Sequence, residues 1–143
     1  MNVAMILKVK GRAVTTARPD ATLLDVSAKL AAKKIGALVI VGDQGRVAGI
    51  ISERDVIRAI GEKGPAALSA PVSEFMTRHV ISAQESQTID ELMSIMTQGR
   101  FRHIPIIEDG GLVGIISIGD VVKHHIAEVE LEVSAMRGYL ATG

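Results

Sequence analysis

The chain carries one string of residues twice, and no other feature limits its fold so tightly. Gly49-Ile50-Ile51-Ser52-Glu53-Arg54-Asp55-Val56 is matched by Gly114-Ile115-Ile116-Ser117-Ile118-Gly119-Asp120-Val121, at an offset of 65 and with six of eight positions identical. Upstream, Thr22-Leu23 matches Thr88-Ile89 and Leu38-Val39-Ile40-Val41 matches Ile104-Pro105-Ile106-Ile107, both at an offset of 66. The slip of one residue falls between Gly42-Asp43-Gln44-Gly45 and Glu108-Asp109-Gly110-Gly111. These are turn sequences, where an insertion costs least.

Each copy predicts the elements βαββα. A short strand comes first (Ala13–Thr16; His79–Ser82). A helix follows, with Thr22 or Thr88 as N-cap and Asp25 or Glu91 at its third position. Two apolar strands then form a hairpin, Ala37–Val41 with Val47–Ile51 and His103–Ile107 with Leu112–Ile116. The second helix starts near Glu53 or Ile118. Gly61-Glu62-Lys63-Gly64-Pro65 closes the first copy, and Val72–Thr77 is expected to be short and helix-like. The fold class is therefore α+β, two βαββα repeats about a pseudo-twofold axis with an extended C-terminal helix. A repeat of about 60 residues buries little surface alone, so the two are expected to share one core. The divisions are 1–64 for the first repeat with the N-terminal segment, 65–126 for the second, and 127–143 for the helical extension.

Composition narrows the functions. With a net charge of +0 the chain lacks the basic face that a nucleic-acid polymer requires. The absence of cysteine excludes disulfides, thiolate catalysis and Cys-ligated metals. No apolar run approaches the roughly 18–20 residues that span a bilayer. The mean hydropathy of +0.32 is high for so small a chain, so apolar surface beyond the core is expected at a subunit interface. Two Phe, one Tyr and no Trp leave a planar ligand to aliphatic side chains, methionine and backbone. The N-terminal residues lack a long apolar stretch and a small-residue cleavage site, so a cytoplasmic location is expected.

Three features together resemble the CBS repeat, named after cystathionine β-synthase. They are the first-strand Thr16 or Ser82, the run Arg102-His103-Ile104-Pro105-Ile106-Ile107, and the closing Gly-x-x-Ser-x-x-Asp of both copies. The resemblance covers roughly Ala13–Ile60 and Val72–Ile126. It implies a tandem pair, the Bateman module, with up to two clefts between the repeats. Such clefts take AMP, ADP, ATP, S-adenosylmethionine or NAD-type molecules as regulatory ligands, with no catalytic cofactor. Most members are attached to an enzyme, channel or transporter; this chain reads as standing alone.

Asp55 and Asp120 fall just inside the second helix of each copy, where the helix dipole favours a carboxylate. Two acceptor oxygens suit the cis hydroxyls of a ribose, the role that the resemblance implies; the alternative is a helix start that is merely capped or charged. Ser52 and Ser117 lie where strand gives way to helix, as polar-ligand contacts, ordinary N-caps or both. Thr16 and Ser82 are candidates for ribose or phosphate oxygens, or turn-starting hydroxyls. Arg100, Arg102 and His103 form the one compact basic cluster near a motif, preceding Ile104 and Pro105; arginine grips phosphate with a planar fork. The alternative is a solvated strand end. Arg54 is a second phosphate candidate. Copy one has Gly36-Ala37-Leu38 where copy two has Arg102-His103-Ile104. The two clefts are thus unequal: Arg102 and His103 favour phosphorylated ligands, whereas Ala37 and Leu38 leave room for a ring against backbone.

Along the last helix, Val122, Ile126, Val129, Val133, Met136 and Leu140 recur at intervals of 4 and 3, a coiled-coil seam. A homodimer through this seam and the helices of the module is expected, with an unidentified effector protein as a further partner; folding back over the module is the alternative. No Gly-x-Ser-x-Gly elbow supports a hydrolase. His124 and His125 are adjacent in a helix and point about 100° apart, so they do not make a metal pair. The expected function is ligand sensing without catalysis or a metal, and a ligand-free homodimeric scaffold is the rival.

Overall fold

The computed structural model describes residues 1–142. In chain order the elements are α1 (Val3–Lys10), β1 (Thr16–Ala17), α2 (Leu23–Lys33), β2 (Ala37–Val41), β3 (Val47–Ser52), α3 (Glu53–Lys63), α4 (Ile89–Gly99), β4 (His103–Glu108), β5 (Gly111–Ser117) and α5 (Ile118–Thr142). Short 3-10 turns occupy Asp43–Gly45, Pro65–Ser69 and Val72–Glu74. The α+β fold and its duplication are as the repeat predicts.

Equivalent residues act alike in the two copies. The Thr22 hydroxyl accepts the Asp25 N–H, and the Thr88 hydroxyl accepts the Glu91 N–H, both at 3.1 Å. These caps satisfy donors that a helix start leaves unpaired. Both helices end on a left-handed residue, Lys34 (φ 55°) and Arg100 (φ 56°). In the hairpins Ala37 pairs with Ser52 and His103 with Ser117, and the register shifts at Ile40/Val41 and at Ile106/Ile107. The second hairpin closes through Asp109 and Gly110, both at positive φ, the backbone that a two-residue hairpin turn requires.

The first strands are shorter than expected. In copy one only Thr16 and Ala17 pair with β2, in parallel with Val39 and Ile40. The stretch His79–Ser82 is not a strand at all; the counterpart is one parallel bridge from Ala83 to Ile106. Two strong strands already pair with each other in each hairpin, so an edge segment with few apolar residues adds little. Helix-like Val72–Thr77 is a 3-10 turn at Val72–Glu74, after which Thr77 bridges Ile50.

The expected single core is corrected to two. Leu23, Val26, Leu38, Ile40 and Ile51 of copy one form one buried cluster, completed by Ala67, Val72 and Met76 of the connecting segment. Ile89, Leu92, Ile104, Ile106 and Ile116 of copy two form the other, completed by Val3, Ile6 and Leu7 of α1. The N-terminal segment, expected to travel with the first repeat, thus packs into the core of the second. Each core is closed by the segment that precedes the other repeat. This exchange solves the problem of a repeat too small to bury its own apolar face. Backbone pairing follows it: Asn2 bridges Thr88, and Pro71 bridges Thr22.

The exchange also explains the glycine of each closing motif. A Cβ on Gly49 would stand 2.7 Å from the Met76 Sδ and the Thr77 carbonyl oxygen; one on Gly114 would stand 2.6 Å from a Leu7 methyl. Each glycine lets the incoming segment lie against the strand. α5 starts in the second core at Val121 and then runs outward as a 25-residue helix.

Candidate functional site

The strand-to-helix junctions are built by the Ser-x-x-Asp spacing itself. At the start of α3 the Ser52 N–H and hydroxyl donate to Asp55 Oδ2 at 2.9 and 3.0 Å, and the Asp55 N–H donates back to Ser52 Oγ at 3.3 Å. At α5 the Ser117 N–H and hydroxyl donate to Asp120 Oδ2, both at 2.9 Å, and the Asp120 N–H returns to Ser117 Oγ at 3.1 Å. This is a reciprocal capping box. Both serines are therefore N-caps, and one oxygen of each aspartate is spent holding the helix start.

Around Asp55 the two repeats enclose a cavity of about 270 Å³. Copy one supplies Gly36, Ala37, Ile50 and, from the β3–α3 junction, Ser52, Glu53, Arg54, Asp55 and Arg58. Copy two supplies Thr77 to Ile81 without Arg78, and Arg100 to Pro105 without Ile104. Strand periodicity accounts for the last omission: neighbouring residues of a strand face opposite ways. His103 and Pro105 line the cavity, whereas Ile104 is fully buried in the second core. Leu38 is likewise fully buried in the first. Neither side chain reaches the cleft, a correction to their candidacy.

The Asp55 oxygen that Ser52 does not hold, Oδ1, has the Arg58 guanidinium 3.6 Å away, and both residues line this space. Four arginines (54, 58, 100 and 102) and two histidines (79 and 103) stand on the walls, against the acids Glu53 and Asp55. The left-handed cap at Arg100 turns the chain out of α4 and delivers Phe101, Arg102 and His103 in sequence to the wall. His103 packs across the repeat boundary: a Cβ on Gly36 would lie 3.2 Å from its ring. Burial and then the Lys10 ammonium push its imidazole below the usual histidine value of 6.5; Glu53 and Asp120 pull it up, and Arg102 adds to the lowering. The ring is neutral at neutral pH.

The second junction is different. The Lys10 ammonium, at the end of α1, donates to Asp120 Oδ2 at 2.6 Å and to the Ile115 carbonyl at 2.8 Å. Burial pushes the Asp120 carboxyl up, but the bonds from Lys10 and Ser117 outweigh it and hold the group below the ordinary aspartate range. Of the other candidates, Thr16 lies in β1 beside Val39, its carbonyl taken by Lys29 at 2.9 Å, and Ser82 is exposed. The structure thus brings together Ala37, Ser52, Arg54, Asp55, Arg102, His103 and Pro105 in one cavity. Thr16, Ser82, Ser117 and Asp120 lie outside its walls.

Sequence reading missed Lys10, Arg58, His79 and Phe101. Arg58 was accessible, since it lies one turn beyond Asp55 on the same face. Lys10 was not, because it stands outside the repeat and reaches Asp120 across 110 residues.

The CBS domain family model matches residues 9–62 and 72–126. The chain belongs to the CBS-domain family and carries the domain twice, in tandem. It is 34% identical to the CBS domain-containing protein CBSX3, mitochondrial, of Arabidopsis thaliana, an alignment covering 99% of this chain and 72% of that protein. Among solved structures it resembles the CBS-domain containing protein ATU1752 from Agrobacterium tumefaciens, with 47% identity, a TM-score of 0.85 and coverage of 87% of this chain and 99% of that one. It also resembles the CBS domain pair of protein MJ0100 in complex with 5'-methylthioadenosine and S-adenosyl-L-methionine, at 25% identity and a TM-score of 0.80, covering 90% of this chain and 98% of that one. No helix among the described residues is long and apolar enough to cross a membrane.

Proposed function

We propose that this protein is a regulatory module that senses an adenosine-type nucleotide in the cleft beside Asp55. The observation that carries this reading is the convergence, from both repeats, of four arginines on a single cavity that also holds the Asp55 carboxylate, with Glu53 as the one other acid. In this reading Asp55 Oδ1 accepts a ribose hydroxyl, with Ser52 holding it in place, and Ala37 with the adjoining backbone receives the base. Arg54, Arg100, Arg102 and His103 face the phosphates. A related CBS pair crystallised with two adenosine derivatives supports the class of ligand. The basic wall favours AMP, ADP, ATP or NAD(H) over S-adenosylmethionine, whose sulfonium it repels. Thr16, Ser82, Ser117 and Asp120 belong to the second cleft of the pair.

The serine hydroxyls are engaged in helix caps, so we read the cleft as binding without nucleophilic chemistry. A ligand touching both repeats favours one relative arrangement in proportion to its differential affinity. A cytoplasmic location fits a sensor of such metabolites. The homodimer rests on the C-terminal seam: Val122, Ile126, Val129, Val133, Met136 and Leu140 are all 42% to 72% exposed in the single chain. An effector protein would receive the signal through the dimer.

Calorimetric titration with AMP, ATP, S-adenosylmethionine and NADH tests the reading. Heat with a phosphorylated nucleotide, lost in Asp55→Ala, is expected. No heat from any of the four would favour the scaffold, and turnover of one would restore an enzyme.

A further inference from the structure

The charges beside the C-terminal seam carry information that the seam itself does not. The family match ends at residue 126, so most of α5 runs past the module, and from Val122 on its seam residues stay 42% to 72% exposed in the single chain. With Ile126, Val133 and Leu140 at one core position of the heptad and Val122, Val129 and Met136 at the other, the flanking positions follow. One flank holds His125, Glu132 and Tyr139; the other holds Lys123, Glu130 and Arg137. In a parallel pair each flanking residue meets the opposite flank of its partner five residues further on. Glu132 then faces Arg137 of the partner subunit, whereas His125 stands 4.0 Å from Asp90 of its own chain and adds no ion pair between copies. In an antiparallel pair with full overlap, like flanks meet. Glu130 would face its own copy, Glu132 likewise, and Lys123 would face Arg137. Every charged contact there is repulsive.

We propose that α5 pairs in parallel with α5 of a second copy of this chain. This rests on the dimer of the preceding reading and adds its direction. The consequence reaches the module: parallel helices place their Ile118 ends together, so each second repeat sits beside the second repeat of the partner. The two nucleotide clefts are then related by a twofold axis that runs along the helix pair. A coiled coil of about three heptads gains only modest energy from its charges, but Glu132 meets Arg137 in one orientation and its own copy in the other, and that change of sign decides direction.

The chain has no cysteine, so a single introduced one reports orientation in the full-length protein. Met136→Cys lies far from the helix centre and meets its own copy only in a parallel pair. Under mild oxidation it should form a disulfide-linked dimer at micromolar protein. In an antiparallel pair residue 136 faces residue 126 instead. Linkage of Met136→Cys chains to Ile126→Cys chains, without self-linkage of Met136→Cys, would overturn the proposal. Sedimentation separates the two failures: a dimer that links the wrong way refutes the direction alone, whereas a monomer refutes the dimer and the direction together. Glu132→Arg should weaken the dimer roughly tenfold, and adding Arg137→Glu in the same chain should restore it. Restoration is not expected from a helix that merely lost stability.

Discussion

The two motif junctions have the same backbone, the same capping box and different surroundings. Asp55 lies on the wall of a cavity lined by arginines and is paired there with Arg58 of its own helix at 3.6 Å. Asp120 is clasped by Lys10 in two short bonds, one to its carboxylate and one to the strand before it. The repeat supplies the helix start; what enters from elsewhere in the chain decides what that start is free to do. α1 brings a lysine to the second junction, while the segment that plays its part at the first brings Met76 and Thr77. A duplicated motif therefore does not imply a duplicated site.

Four measurements break or sharpen this contrast. The largest effect is expected from the aspartates. Asp55→Ala should weaken nucleotide binding roughly tenfold to hundredfold, the scale of a hydrogen bond to a charged group, while Asp120→Ala leaves the affinity of the first cleft within about twofold. Equal losses in both variants would erase the difference between the clefts.

The glycines come next. Gly49→Ala should destabilise by about 1–3 kcal/mol in urea unfolding, because one of the atoms it meets is a backbone oxygen that cannot step aside. Gly114→Ala should cost less, since only the tip of Leu7 must move. The reverse order would show that α1 is the more rigid closure.

Lys10→Met removes the clasp. Stability should fall by no more than about 1 kcal/mol, because the pair is partly exposed and screened. Titration should then detect a second, weaker nucleotide per chain; a stoichiometry still at one would mean that the second cleft is closed by something other than the lysine.

The smallest effect concerns pH. His103 titrates below 6.5 in the folded chain, so lowering the pH from 7.5 to 6 protonates the unfolded chain first. Stability is full above about 6.5 and declines as pH falls toward the folded value. Bound phosphate pulls the other way, raising the pKa of His103, so nucleotide affinity should increase a few-fold over the same range. His103→Gln should flatten the affinity profile, and an unchanged profile would remove His103 from the phosphate wall.

Local chemistry made much of this legible. Thr22 and Thr88 as caps, both hairpins, the helix starts at Glu53 and Ile118 and the candidacy of Asp55, Arg54, Arg102 and His103 follow from short-range patterns in the chain; that these four share one cavity does not. The Ser-x-x-Asp capping box was legible too, since its spacing is that of an N-cap and the third helical residue. The first strands were not, because Ala13–Thr16 and His79–Ser82 have too weak a pattern to fix where pairing begins. Leu38 and Ile104 were taken for cleft residues because a motif does not say which face of its strand looks inward.

What the sequence determined by itself was the repeat, its elements and the family to which they belong, since hydrophobic period, caps and turns act over a few residues. Only the tertiary structure decided which segment closes which core, and hence that Lys10 meets Asp120 while Asp55 lines a cavity between the repeats. The reason is physical: α1 and residues 65–76 each bury three apolar side chains in a core, and nothing local in either says which repeat it will cover. Their choice depends on where the chain must cross and which side chains fit against Gly49 and Gly114, and no local pattern records that.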